Sequence, residues 1–205
     1  SVLWVIVLGV FACTKEEIEP EDCPDPESQV VVFNPADLPY DSLSSYHFFE
    51  GLMSDQIPVD EVIPFEPITP LFTDYAHKRR FIWMPDSVSA SYISDDEILN
   101  FPDGTVLIKS FYYDHVQPSN QTKIIETRLL YRIAGAWEFA NYIWNENQTA
   151  ATLDLVGDYI DLDWIDDNNN SRSTTYRIPS EAECKNCHKN NNLTIPIGPK
   201  PQNLN

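Results

Sequence analysis

Basic residues are scarce in this chain of 205 residues. Its 13 lysines and arginines stand against 32 aspartates and glutamates, which gives a formal net charge of −19 at pH 7. A surface of that sign repels nucleic acid backbones and anionic lipid headgroups. We therefore expect no nucleic acid partner. The charge favours a basic protein partner or a cationic substrate, although an acidic surface can also serve solubility alone.

The one apolar run at the N-terminus is too short to cross a bilayer. Val2–Phe11 contains ten residues, whereas a spanning helix needs about 20. The run has the length of a signal-peptide core. An ordinary cleaved signal or a buried strand are the alternatives. The chain also lacks an initiating Met and a basic segment before the run, so we expect a few residues to precede Ser1.

The end of this run, Val10-Phe11-Ala12-Cys13, resembles the lipobox of bacterial lipoproteins. In that family the cysteine becomes the lipidated first residue of the mature protein. The resemblance implies that residues 1–13 are a lipoprotein signal peptide and that Cys13 carries the lipid. It also implies a protein anchored to a membrane of the bacterial cell envelope, facing the periplasm or the exterior.

Residues 14–29 form a segment rich in acidic residues and proline, with Pro20, Pro24 and Pro26 among them. Such a composition cannot bury enough apolar surface to fold, so we predict a disordered tether. Cys23 lies in this segment and has no evident partner.

Residues 30–178 contain short alternating runs and no helix long enough to connect parallel strands. The clearest pair is Lys123–Ile133 and Trp137–Trp144, joined by Ala134-Gly135-Ala136 as a tight hairpin. The sequence therefore predicts a mainly β domain, either an antiparallel β-sandwich or a flattened barrel.

Aromatic residues are abundant in this predicted domain and favour a β-rich core. We expect Trp137, Phe139 and Trp144 to share one core cluster, because they belong to the best-patterned hairpin. The acidic segment Asp161–Asn170 lacks the glycine and terminal glutamate of a calcium-binding EF-hand loop. It therefore favours a solvated hairpin turn over a calcium site.

The sequence Cys184-Lys185-Asn186-Cys187-His188 has the C-x-x-C-H pattern of covalent c-type haem attachment. Two thiols three positions apart on a helix can each form a thioether with one haem vinyl group, and the following histidine can ligate the iron. Ser180-Glu181-Ala182-Glu183 before it has the S-x-x-E pattern of a helix N-terminus. We predict a helix that starts near Glu181 and carries Cys184, Cys187 and His188.

Other uses of two such cysteines have weaker support. A thioredoxin-like redox motif would begin a βαβ unit, and none is evident. A structural zinc site usually needs a second ligand pair, and the sequence contains no second C-x-x-C and no H-x3-H. No Ser-His-Asp arrangement is evident either, so no residue is assigned a catalytic role.

The C-terminal part resembles the start of a class I cytochrome c domain. In that family a Gly-Pro pair follows the haem helix, and the proline carbonyl accepts a hydrogen bond from the ligating histidine. Gly198-Pro199 follows His188 at a similar distance. The resemblance implies that residues 179–205 begin a haem-binding domain and that the Pro199 carbonyl orients His188.

Nearly the whole chain after the signal is similar to a family of exported bacterial c-type cytochromes, usually dihaem, with a β-rich module before the first haem motif. The similar segments are Tyr40–Gly51, Pro70–Ala76, Arg80–Pro85, Trp144–Thr149, the Cys184–His188 motif and Pro196–Lys200. The resemblance implies one covalent haem c here, a second haem motif further downstream, and electron transfer with redox partner proteins.

Two other functions stay open. An open sixth position on the iron would make the protein a haem peroxidase or gas sensor, and the aromatic β domain would otherwise be a ligand- or partner-binding module. We expect the sixth ligand to come from downstream sequence. The methionines and remaining histidines, namely Met53, Met84, His47, His77 and His115, qualify only if haem docks against the sheet.

Overall fold

The computed structural model describes residues 30–204, so the predictions for the signal peptide, Cys13 and the tether lie outside the described residues. Within this range the fold is mainly β. Three short 3-10 helices span Leu43–Tyr46, Met53–Asp55 and Pro201–Asn203. The strands are β1 (Phe49–Glu50), β2 (Ile57–Pro58), β3 (Ile63–Pro64), β4 (His77–Trp83), β5 (Val106–Val116), β6 (Gln121–Ile133), β7 (Ala136–Trp144), β8 (Ala151–Leu153), β9 (Asp158–Ile165), β10 (Ser171–Ile178), β11 (Lys189–Asn190) and β12 (Leu193–Thr194), and helix α1 spans Glu181–Cys187.

An eight-stranded antiparallel sheet forms the body of the protein. Its main path runs β10-β9-β5-β6-β7-β8, while β4 pairs with β5 and β3 pairs with β4. Strands β1 and β2 form a separate two-stranded sheet, as do β11 and β12. The prediction of a mainly β, antiparallel fold is therefore confirmed. The described sheets do not close on themselves, so the alternative of a flattened barrel is wrong.

The β6–β7 hairpin has the predicted turn. Ala134 and Gly135 both adopt positive φ values, 49° and 79°. Two consecutive residues in this region match the two-residue turns whose twist suits a hairpin. The flanking pair Ile133 and Ala136 lies opposite in the ladder, so the turn sets the register of the whole hairpin.

One face of the sheet is covered by the segment that precedes β4. Side chains of the central strands pack there with the N-terminal residues Leu43, Tyr46 and Phe48. The Tyr46 and Tyr142 hydroxyls are 2.9 Å apart, and the Tyr142 hydroxyl donates to the Tyr40 carbonyl oxygen at 2.8 Å. These bonds tie the irregular N-terminal segment to β7.

The opposite face carries two separate apolar clusters. One lies under the β9–β10 hairpin, where Trp164 and Tyr176 pack with Tyr113 of β5. The other lies under α1, and we call it the helix cluster. Its buried members are Phe101, Leu107, Leu130, Trp137, Phe139 and Cys184.

The prediction that Trp137, Phe139 and Trp144 share one cluster is wrong. Trp137 and Phe139 belong to the helix cluster, whereas Trp144 packs on the opposite face. Successive side chains of a strand point to opposite faces. Trp137 and Phe139 are two positions apart, while Trp144 lies five positions after Phe139, so the alternation separates it from them.

The acidic segment between β9 and β10 is a hairpin turn, as predicted. The Asp166 carboxylate accepts backbone N–H groups of Asn168 and Asn170 at 3.0 and 2.8 Å. Arg172 donates to the same carboxylate at 2.8 Å. Within residues 30–204 no group of three or more potential metal-binding side chains is present, and no helix is both long and apolar enough to cross a membrane.

Candidate functional site

Helix α1 begins where the S-x-x-E pattern predicts it. The Ser180 side chain accepts the Glu183 backbone N–H at 3.3 Å, and the Glu183 carboxylate accepts the Ser180 backbone N–H at 2.8 Å. These reciprocal bonds satisfy two backbone donors that a helix start otherwise leaves free. The helix ends at Cys187, and His188 forms its C-terminal cap.

Contacts at both ends of the helix fix α1 against the sheet. The Lys185 ammonium is 3.0 Å from the Glu138 carboxylate on β7, and the Leu155 carbonyl accepts the Glu181 backbone N–H at 3.0 Å. Gly157 packs closely on the segment entering the helix, because a Cβ there would lie 2.6 Å from the Ile178 carbonyl oxygen. The position of the motif is therefore set by β7, β10 and the turn before β9.

The two cysteines of the motif lie in different surroundings. Cys184 faces the sheet and is 8% exposed, whereas Cys187 is exposed. Burial raises the pKa of the Cys184 thiol, an effect that the nearby Arg128 charge opposes. Cys184 packs with Phe139 in the helix cluster. A thioether at Cys184 therefore requires the haem to displace part of this packing.

His188 is half-buried and held by the chain that follows it. Its Nδ1 atom is 2.9 Å from the Ile195 carbonyl oxygen, and its ring meets Phe139 edge-on with 5.1 Å between centroids. The β11–β12 hairpin returns the chain to this point, and the Ile195 N–H donates to the His188 carbonyl at 2.9 Å. With Nδ1 bonded to a carbonyl, Nε2 is the nitrogen left for a metal.

The hydrogen-bond partner of His188 differs from the prediction. The Pro199 carbonyl accepts the Leu99 N–H at 3.2 Å, and Ile195 takes the place expected for Pro199. The reason is local: the tight β11–β12 hairpin reverses the chain within seven residues of His188, before Gly198 is reached.

The environment of His188 favours the neutral ring. Burial lowers its pKa first, the Ile195 hydrogen bond opposes this, and the positive charges of Lys109 and Arg128 lower the pKa further. Metal ligation requires the neutral imidazole. The residues around the ring therefore hold the protonation state that an iron ligand needs.

The residues of the motif fit covalent haem in three respects. Cys184 and Cys187 lie on neighbouring sides of one helix turn, a carbonyl fixes the His188 ring through Nδ1, and Nε2 of His188 has no hydrogen-bond partner among residues 30–204. Haem would be held by thioethers to both cysteines and by His188 as the iron ligand. In addition, buried polar atoms of Arg128 and Asn141 near this site have no hydrogen-bond partner among the described residues.

The possible sixth ligands are spread over the molecule. Met84 packs against the helix cluster that contains Cys184, whereas Met53 packs against the opposite face. His77 stacks on Tyr112, and both His47 and His115 are exposed. The structure thus brings one of the five candidates, Met84, into the same cluster as the motif.

A row of polar side chains beside the motif was not predicted from the sequence. Arg80, Lys109, Arg128 and Asn141 are successive partners across β4, β5, β6 and β7. The available signal was a lysine inside the apolar run Val106–Phe111, at a position where alternation points toward the core.

No known protein family, no curated protein and no solved structure matches this chain.

Proposed function

We propose that this chain is an electron-transfer protein that carries haem c covalently at Cys184 and Cys187, with His188 as iron ligand. The observation that carries the proposal is the arrangement of His188. Its Nδ1 atom lies 2.9 Å from a backbone carbonyl at the end of a capped helix holding both thiols. This arrangement orients Nε2 and keeps the ring in one tautomer.

Haem iron supplies one-electron transfer when bound at such a motif. The chain itself supplies attachment through two thiols, one ligand, and a sheet face that excludes water from one side. The neutral state of His188, favoured by burial and by nearby positive charge that lower its pKa, suits the ligand role.

A redox disulfide between the two cysteines has less support. The attacking thiol of such a motif is exposed and has a lowered pKa. Cys184, the first cysteine, is buried and its pKa is raised, while the exposed thiol is the second one. This is the reverse of the order that a thioredoxin-like exchange requires.

The test is covalent haem content. We expect the chain made in a bacterial host with c-type haem maturation machinery to keep haem-linked peroxidase staining on a denaturing gel. The double variant Cys184→Ala/Cys187→Ala should lose the stain, because it removes both thioether positions. Cys23→Ser is the matched control, since it removes one thiol outside the motif, and it should stain like the wild type.

An unstained wild-type band, or staining that survives the double substitution, would contradict the proposal.

The same cells also test the envelope location. We propose that Cys13 carries a lipid anchor and that the acidic chain meets a basic redox partner, consistent with its net charge of −19. The stained band is then expected with the membrane fraction, and Cys13→Ser should move it to the soluble fraction.

A further inference from the structure

A row of charged and polar side chains crosses the sheet face on which α1 packs. The row consists of Arg80 in β4, Lys109 in β5, Arg128 in β6 and Asn141 in β7. The next row on this face, two positions along each strand, contains Leu107, Leu130 and Phe139 of the helix cluster. The polar row therefore borders the cluster that includes Cys184.

The positive charge of this row is only partly compensated. Arg128 pairs with the fully buried carboxylate of Glu126, which also accepts the Tyr176 hydroxyl at 2.7 Å. Arg80 lies 3.8 Å from the exposed Glu66 carboxylate. Lys109 has no carboxylate within 4.0 Å among residues 30–204. In a chain of net charge −19 this local excess of positive charge is unusual.

The charged ends of Lys109 and Arg128 both contact the same aromatic ring. The Lys109 Nζ and Arg128 Cζ atoms lie 4.8 and 4.2 Å from the Phe111 ring centroid. The positive charge of Arg128 repels that of Lys109, and Glu126 pairs directly with Arg128 alone. Burial and the repulsion from neighbouring cations lower the pKa of Lys109 to about 7.

The same row contains polar atoms that the described part of the chain leaves unbonded. Asn141 is 3% exposed, and neither its Nδ2 nor its Oδ1 atom has a hydrogen-bond partner there; the same holds for Nε of Arg128. Three of the five such buried atoms in the described residues thus belong to this row. Two of these atoms are donors, Nδ2 of Asn141 and Nε of Arg128, and a buried donor without a partner is costly and calls for an explanation such as a bound water, ion or ligand.

The row is within electrostatic range of the motif. The charges of Lys109 and Arg128 both act on His188, and that of Arg128 acts on Cys184. Helix α1 and strand β12 both pack on β7, the strand that holds Asn141. A group bound at the motif and a group bound at the row would therefore be neighbours.

We propose that Lys109, Arg128 and Asn141 form a carboxylate-binding site, and that it receives a propionate of the haem attached at Cys184 and Cys187. The assignment of the propionate rests on the proposed function. An ammonium and a guanidinium form charge-assisted hydrogen bonds to a carboxylate, and an amide N–H adds a neutral donor. A free organic carboxylate offers the same chemistry, so the experiment separates the two sources.

The first arm uses the holoprotein and measures the midpoint reduction potential of Lys109→Met. Loss of a nearby cation destabilises the reduced form relative to the oxidised form. We expect the equilibrium constant for reduction to fall about tenfold, a decrease of about 59 mV. Lys123→Met is the matched control, because Lys123 pairs with Glu146 at 2.8 Å outside the row, and it should leave the potential unchanged.

Asn141→Leu gives a second readout that a structural role would not reproduce. In protein made without haem the apolar side chain replaces an amide without partners, so stability should hold or rise. In the holoprotein the same change should lower the potential, since a donor to the propionate is lost. Arg128 is left intact, because its removal would strand the buried Glu126 carboxylate.

The second arm tests a free carboxylate as the source. Haem-free Cys184→Ala/Cys187→Ala protein is titrated with succinate, and its unfolding temperature is followed. If succinate raises the unfolding temperature and Lys109→Met abolishes this rise, the site is supported. Its ligand is then a free carboxylate and not the haem propionate. If Lys109→Met and Asn141→Leu both keep the wild-type potential and succinate has no effect, the carboxylate site is wrong. The proposed haem attachment is unaffected by that result as long as the wild-type band stains for haem. If the wild type carries no haem, the proposed function fails and the succinate arm alone decides.

Discussion

At the scale of single residues, Gly157 has no room for a side chain between two backbone segments. It has a φ of +85°, and an added Cβ would lie 2.6 Å from the Ile178 carbonyl oxygen and 2.7 Å from the Ser180 nitrogen. Both atoms are backbone at the entrance to α1. Gly157→Ala should therefore lower the free energy of unfolding by more than the strain of a positive φ alone would cost. Urea unfolding measures this loss.

Gly135 provides the matched control. It also has a positive φ, +79°, but a Cβ added there would have no atom within 4 Å. Gly135→Ala should thus cost only the backbone strain, about 1–2 kcal/mol. Equal losses at the two positions would show that close packing at Gly157 contributes nothing.

Residue-scale features were predictable only where they depend on near neighbours in sequence. The capping pair Ser180 and Glu183 follows from spacing alone. The acceptor for His188 does not, because it depends on how tightly residues 189–194 turn. Likewise Cys184 and Cys187 are equivalent in the pattern, and only the docking of α1 on β7 makes one buried and the other exposed.

At the scale of elements, the start of α1 makes a direct prediction. Ser180→Ala removes the acceptor of the Glu183 N–H and should lower the free energy of unfolding by about 0.5–2 kcal/mol. Ser173→Ala is the control, since Ser173 is exposed on β10. The haem content of stained bands should fall with Ser180→Ala as well, because a frayed helix start loosens the position of the thiols.

A loss of stability in Ser173→Ala as large as that in Ser180→Ala would argue against the cap as the cause. Within the same scale, strands β6 and β7 and the hairpin that joins them were predictable from alternation and from the Ala134-Gly135 turn. The segment before β4 was not, because its residues are ordered by packing on the sheet and by the Tyr46–Tyr142 contact rather than by local pattern.

At the scale of the whole molecule, register decides which residues meet. Arg80, Lys109 and Arg128 are far apart in sequence and become neighbours only because antiparallel ladders align them. Alternation alone could have placed Trp137 and Trp144 on opposite faces. Alternation could not have shown that the row from Arg80 to Asn141 lies between the helix cluster and the cluster under the β9–β10 hairpin. That arrangement depends on where the chain after β8 places β9, β10 and α1.

The register also predicts how stability depends on pH. Lys109 faces Arg80 and Lys78 on β4 and Arg128 and Glu126 on β6, and on the motif side His188, whose pKa is lowered. Burial and these cations lower the pKa of Lys109 from 10.5 to about 7. Between these two values the unfolded chain binds more protons at this side chain than the folded one, so its contribution to stability rises with pH.

Lys109→Met tests this directly in the haem-free protein. Below pH 7 both states of the wild type hold a charged lysine and the folded state bears the cost of burying it, so the variant should be more stable. That advantage should shrink as the pH rises from about 7 to 9, because the folded wild type releases the proton while the unfolded chain keeps it. Urea unfolding at several pH values gives the difference in the free energy of unfolding between variant and wild type. Titrations of other side chains cancel in this difference. An advantage of Lys109→Met that stays constant over this range would mean that Lys109 keeps an ordinary pKa and that the row is better solvated than its packing indicates.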